Sequence, residues 1–205
     1  MRMPPLRTER LLIRPLAMDD LDGIHRILDV ELAAADFGTA GAYALYERQQ
    51  WLQWTILSYE ELAKLYQPPY GERAVVLKQT EQLIGVCGFV PCLNAFGQLP
   101  AFRSTVDGVA ARLYSTEFGL FWAMSPAHQR HGYATEAATA VIGYAFTELR
   151  LERIVATTTY ENAASIRVMQ KLGMRIERTP YPDPPWLQVV GIRYHPHSGS
   201  DAATP

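Results

Sequence analysis

At 205 residues the chain is long enough for one domain with a real core and short for two. With 48% hydrophobic and 20% charged residues it is neither disordered nor fibrous, and a net charge of -2 gives no electrostatic case for a nucleic-acid partner. No apolar run approaches the roughly 18–20 residues that cross a bilayer, and the charged opening MRMPPLRTER leads into no apolar signal segment, so a cytoplasmic protein is expected.

Leu11, Leu12 and Ile13 read as a first strand closed by Pro15. Asp19 and Asp20 then open a helix, with Leu21, Ile24, Ile27 and Leu28 at helical spacing. A second helical stretch runs from Leu45 to Tyr66 and ends at Pro68-Pro69. Its Trp51, Trp54, Tyr59 and Tyr66 read as core and acceptor-cleft wall. The strands RAVVLK and LIGVCGFV follow, separated by the polar turn Gln79 to Gln82. Cys87 and Cys92, with GFVP between them, have no His or Cys cluster around them at metal spacing. They read as buried or loop thiols, and no metal is expected. Residues 91–114 read as one long connection, a length more often functional than accidental.

EFGLFWAM is a continuously apolar strand, as expected when both faces are covered. A helix from Tyr133 to Leu149 carries Ala134, Ala137, Ala138, Val141, Ile142 and Ala145 on one face. RIVATTT is a short β-branched strand. Asn162 then caps a helix holding Ile166, Met169 and Leu172, with Lys171 in its last turn and Gly173 at its end. MRIERT and WLQVVGIRYH complete the sheet around the turn YPDPP. The expectation is a single α/β (α+β) domain over residues 1–195 and a disordered tail over 196–205.

The passage from strand to helix, FWAMSPAHQRHGYATEA, carries the chemistry. The first turn of a helix has N–H groups without intrahelical partners, and its dipole favours an anion. Gly132 removes a side chain where a phosphate must approach the backbone, and Ala134 keeps the next wall low, so this start reads as a pyrophosphate site. The plainer reading of Gly132 is a glycine that lets the chain turn into a helix.

Gln129-x-x-Gly132-x-Ala134 resembles the Q/R-x-x-G-x-G/A signature of the GNAT superfamily of N-acetyltransferases. Asn162-x-x-Ser165 followed by Lys171-Leu172-Gly173-Met174 is similar to a second motif of that family, and LRTERLLIRPLAMDDLDGI to the opening of its RimJ/RimL-type branch. The resemblance covers the first thirty or so residues and roughly 116–180. It implies a central mixed, mostly antiparallel sheet with helices on both faces and a splayed strand pair holding acyl-CoA. The implied cosubstrate is acetyl-CoA, with a longer donor such as succinyl-CoA as an alternative. The implied partner is an amine acceptor, either a protein N-terminus or a small molecule, and the protein would be a monomer or homodimer.

Residue by residue, the resemblance places the main chain of Trp122, Ala123 and Met124 along the pantetheine arm. It places Gln129, Arg130, His131, Gly132, Tyr133, Ala134 and Thr135 around the pyrophosphate. Asn162 would bond the pantetheine amide, and Ser165 would offer a proton to the departing thiolate. Many relatives outside this branch use a tyrosine of the same helix as proton donor, at the position where this chain has Met169, which cannot donate; that departure shifts weight to Ser165, or to no specific acid at all. Glu117 is the candidate general base, and its plainer reading is a solvated strand-end glutamate. His128 and His131 read as surface-loop residues. A non-catalytic acyl-CoA-binding module remains the competing reading. The absence of G-x-x-x-x-G-K-[ST] and G-x-G-x-x-G loops argues against a nucleotide enzyme.

Overall fold

The computed structural model describes residues 2–34, 41–102 and 114–197. In chain order the strands are β1 (Leu6–Arg7), β2 (Leu11–Pro15), β3 (Gly71–Leu77), β4 (Leu83–Asn94), β5 (Ser115–Met124), β6 (Arg153–Thr158), β7 (Arg175–Arg178) and β8 (Val189–Tyr194). The helices are α1 (Leu21–His25), α2 (Leu45–Lys64), α3 (Tyr133–Thr147) and α4 (Ala163–Lys171). The strands form one mixed sheet in the order β1-β2-β3-β4-β5-β6-β8-β7. Its registered pairs are antiparallel except β5 with β6, which is parallel and held in register at Gly119↔Val155. A one-pair ladder is what a splayed strand pair leaves in hydrogen-bond terms.

The N-terminal strand is a hairpin rather than a single strand. Thr8 turns the chain by accepting the Leu11 N–H on its hydroxyl at 2.9 Å. Strand β2 ends at Pro15, the residue expected to close it. β1 reaches only to Ile13, so Pro15 lies beyond the part of β2 flanked on both sides. The expected first helix is broken into a 3₁₀ turn (Met18–Asp20), α1 and a π-helical turn (Arg26–Glu31). Asp20 rather than Asp19 opens it, accepting from the Ala17 N–H at 2.8 Å while holding Arg14 in a bidentate pair. Asp29, buried, accepts from Arg48 of α2 at 2.7 Å twice and from the Tyr43 N–H at 2.8 Å. The Arg48 guanidinium lies 4.6 Å over both the Tyr43 and the Trp51 rings.

The expected connection over 91–114 is mostly not loop as far as it is described. β4 continues to Asn94, and two 3₁₀ turns follow, Phe96–Gln98 and Pro100–Phe102. Residues 103–113 lie outside the described residues. The expected disordered tail also falls largely outside them, from residue 198 onward.

Backbone packing divides the chain into two compact units, Met1–Val90 with Leu120–Tyr144, and Pro91–Gly119 with Ala145–Pro205. The first has a core of Leu16, Ile24, Ile27, Leu28, Leu52, Ala74, Val76, Val86 and Ala123. Within it, Gly85 is required sterically, since a Cβ there would lie 2.3 Å from the Ala123 carbonyl oxygen. The second unit is built on Phe96, Leu99, Val155, Leu187, Val190 and Ile192. Phe96 and Leu99, fully buried, are what fix the start of the former "connection" in place. Trp54 and Tyr66 do not belong to the core. They are 63% and 89% exposed, because the buried face of α2 carries Arg48, Leu52 and Thr55 instead. Tyr59 is tied down through its hydroxyl, which donates to the Glu72 carbonyl, and burial pushes that phenol up to about 12.

Candidate functional site

The first unit contains the turn between β5 and α3. Pro126 opens a 3₁₀ turn over Pro126–His128, and the chain then enters α3 with Arg130 at φ 64° and Gly132 at φ 84°. Left-handed residues separated by an ordinary one bend successive N–H groups toward a common point, an arrangement that suits an anion. Gly132 is demanded by this φ rather than by crowding, since a Cβ would meet only Arg10 Nη2, at 3.5 Å. Arg130 carries the same conformation at a cost of roughly 1–2 kcal/mol, the kind of strain retained at ligand sites. The first N–H taken within the helix is that of Glu136, by the Gly132 carbonyl at 3.0 Å. The N–H groups of Tyr133, Ala134 and Thr135 are thereby left to an external acceptor. These residues fit a pyrophosphate.

Gln129 is turned back on the end of β5, its Nε2 donating to the Met124 carbonyl at 3.0 Å. Ala123 and Met124 are buried and Trp122 is half-buried. His131 is exposed and stacks on Tyr133 at 5.6 Å, and its Nδ1 contacts the Gln129 carbonyl at 2.7 Å. His128 is half-buried.

The sequence reading missed the residues that lock this turn. Glu136, in the first turn of α3, accepts from Thr8 Oγ1 at 2.6 Å, from the Arg10 N–H at 2.9 Å and from Arg10 Nε at 2.6 Å. Arg10 Nη1 donates to the His131 carbonyl at 3.0 Å. Burial pushes the Glu136 carboxyl up, but the hydrogen bonds from Thr8 and Arg10 outweigh it and hold the group below its ordinary value. The available signal was an acid in a first helical turn, which marks the positive end of the helix and names no partner. The partner lies 126 residues away in sequence, and nothing local points to it.

The second unit contains Glu117, Asn162 and Ser165. Glu117 is 6% exposed, and its two oxygens accept from Arg153 Nε at 2.7 Å and Nη2 at 2.8 Å. It is therefore not a solvated strand-end residue. The hydrogen bond to Glu117 raises the Arg153 guanidinium, and that guanidinium also lies 4.9 Å over the Phe102 ring. Cys92, half-buried, has its thiol pushed up by burial, and Cys87, fully buried, is pushed up to about 12. Both are free thiols. Asn162 caps α4 by accepting the Ser165 N–H on Oδ1 at 3.0 Å, which leaves its side-chain N–H donors and the Ser165 hydroxyl outside the cap. Met169 is fully buried and packs closely on Gly191, where a Cβ would stand 3.0 Å from its Sδ, so this position belongs to the core. Among the described residues no helix is long and apolar enough to span a membrane, and no group of His, Cys, Asp or Glu is placed to hold a metal ion.

Residues 10–175 match the family model for the acetyltransferase (GNAT) domain. The chain is 27% identical to the uncharacterized N-acetyltransferase YoaA of Bacillus subtilis, over 85% of this chain and 84% of that protein. It is 52% identical to the uncharacterized N-acetyltransferase YnaD of the same organism over a shorter stretch, 27% of this chain and 33% of that protein. A crystal structure of a GNAT-family acetyltransferase from Bacillus anthracis shares the fold, with a TM-score of 0.66 and 22% identity over 92% of this chain and 95% of that one.

Proposed function

Because the chain belongs to the GNAT family of acetyltransferases, we propose that it moves an acetyl group from acetyl-CoA to an amine by direct attack on the thioester. The observation that carries this reading is the start of α3, where two left-handed residues and three uncommitted N–H groups make a cradle suited to a pyrophosphate.

In the reaction the amine nitrogen forms a bond to the thioester carbonyl carbon, the carbon–sulfur bond breaks, and one proton passes from the amine and one to the thiolate. In the first unit, N–H groups from Arg130 to Thr135 would hold the pyrophosphate, and the main chain of Trp122 and Ala123 would follow the pantetheine. Met124 would contribute less than the sequence implied, because its carbonyl is already taken by Gln129. In the second unit, the Asn162 amide N–H would bond pantetheine without disturbing the cap, and Ser165 would donate to the thiolate. Glu117 would accept the amine proton through a water, since the carboxylate is buried against Arg153. The opening hairpin supports the RimJ/RimL-type branch, and hence a protein N-terminus or a small amine as acceptor, in a cytoplasmic monomer or homodimer.

Thiol release measured with acetyl-CoA and succinyl-CoA against a panel of peptides and small amines tests this. Turnover with acetyl-CoA and at least one amine is expected. Binding of coenzyme A with no thiol release across the panel would make the protein a binding module instead.

A further inference from the structure

We propose that Arg10 is a positioning residue for the anion cradle, fixing the direction of the Gly132 N–H and neutralising Glu136 in the same helical turn. This rests on reading the start of α3 as the coenzyme A pyrophosphate site. All three guanidinium nitrogens of Arg10 are committed. Nη1 donates to the His131 carbonyl at 3.0 Å, Nε bonds Glu136 Oε2 at 2.6 Å, and Nη2 stands 2.6 Å from that same oxygen. The guanidinium also lies 4.5 Å over the Tyr133 ring. Three of its five N–H donors are so engaged, and through them Arg10 holds the loop.

Two physical effects follow. The C=O and N–H of one trans peptide point in opposite directions. Holding the His131 carbonyl toward Arg10 therefore turns the Gly132 N–H away from the guanidinium. Gly132, at φ 84°, is the residue least able to hold that peptide by itself, because glycine rotates freely where other residues are restricted. The second effect is charge. Glu136 lies in the first turn of α3, where an unpaired carboxylate would repel an arriving phosphate, and Arg10 is its cationic partner. Arg10 and Tyr133 also border an open cavity of about 350 Å³ with Glu9, Leu77, Lys78 and Gln79. Truncating Arg10 widens that space and leaves no void in the core, so the variant is expected to fold.

The test compares coenzyme A with pantetheine, which lacks the pyrophosphate. Calorimetry gives the Kd for coenzyme A, and ligand-observed NMR gives the weaker pantetheine binding. Arg10→Ala should weaken coenzyme A by roughly ten- to a hundredfold and leave pantetheine unchanged. Arg10→Ala combined with Glu136→Gln should recover part of the loss, by removing the exposed charge. Arg10→Lys should also recover part, because an ammonium neutralises Glu136 but lacks the fork that reaches His131 as well. A folded Arg10→Ala protein with wild-type affinity for coenzyme A overturns the inference, as does an equal loss for pantetheine, which would mean a general structural role. If the unsubstituted protein fails to bind coenzyme A, the cradle reading itself is wrong, and that result is recognisable because it needs no substitution.

Discussion

Glu117 enters β5 buried, with both carboxylate oxygens on the guanidinium of Arg153. Replacing it with Gln keeps the shape and leaves a partly buried cation with a neutral partner. A stability loss of about 2–3 kcal/mol is expected, readable as a lower urea midpoint. If Glu117 also accepts the amine proton, kcat falls by ~10²–10⁴-fold in the same variant, with little change in acetyl-CoA affinity. A destabilised Glu117→Gln enzyme with wild-type kcat would restrict the pair to a structural role. Ser165 is the complementary case, because its N–H belongs to the α4 cap and its hydroxyl does not. Ser165→Ala should leave the cap intact and lower kcat by roughly tenfold to a hundredfold, since a thiolate leaves largely unaided. An unchanged kcat, measured where chemistry limits the rate, would remove Ser165 as the acid. Met169 cannot take over that role, because a thioether carries no proton to donate.

At the scale of elements, Asn162 separates two roles. Asn162→Ala removes the acceptor for the Ser165 N–H and should cost about 1 kcal/mol. Asn162→Asp keeps the cap and removes the amide donors, so it should preserve stability while weakening acetyl-CoA. Equal affinity in the Asp variant would show that Asn162 is only a cap. The hairpin β1–β2 offers a pH test through Glu136, whose carboxyl is held below its ordinary value of 4.5. A depressed folded-state value means the contribution is complete above 4.5 and fades as pH falls through the lower folded value. Wild type should therefore lose its stability advantage over Glu136→Gln as urea midpoints are followed from pH 6 to pH 3. An advantage constant with pH would mean the carboxylate charge contributes nothing. The legible elements were those whose information is local: α3 from its alanine-rich stripe, and α4 from Asn162 and Gly173, which has φ 67°. Three features were not legible. Phe96 and Leu99 become core only when they meet Val155, Leu187 and Val190. The Asp29–Arg48 pair spans 19 residues and the Glu117–Arg153 pair 36, distances at which no periodicity operates.

For the whole molecule, the net charge of -2 means that a strongly anionic ligand such as coenzyme A would receive no general electrostatic attraction. Recognition must then come from local donors, and its energy should appear as stabilisation of the folded state by mass action. At a coenzyme A concentration about a hundred times Kd, linkage adds about 2.7 kcal/mol to unfolding. For a chain of this length that corresponds to a rise in Tm of roughly 5–10 °C. Gly132→Glu should fold, because a side chain there meets open space bounded by Arg10. The substitution places a carboxylate at the cradle and forces a non-glycine residue to φ 84°, so its own Tm should be slightly lower. Its Tm should no longer respond to coenzyme A. Thermal melts of both proteins over a series of coenzyme A concentrations decide the matter. A Gly132→Glu protein that gains as much as wild type would show that the start of α3 is not where the anion binds. A wild type that gains nothing would show that this chain does not hold coenzyme A at all.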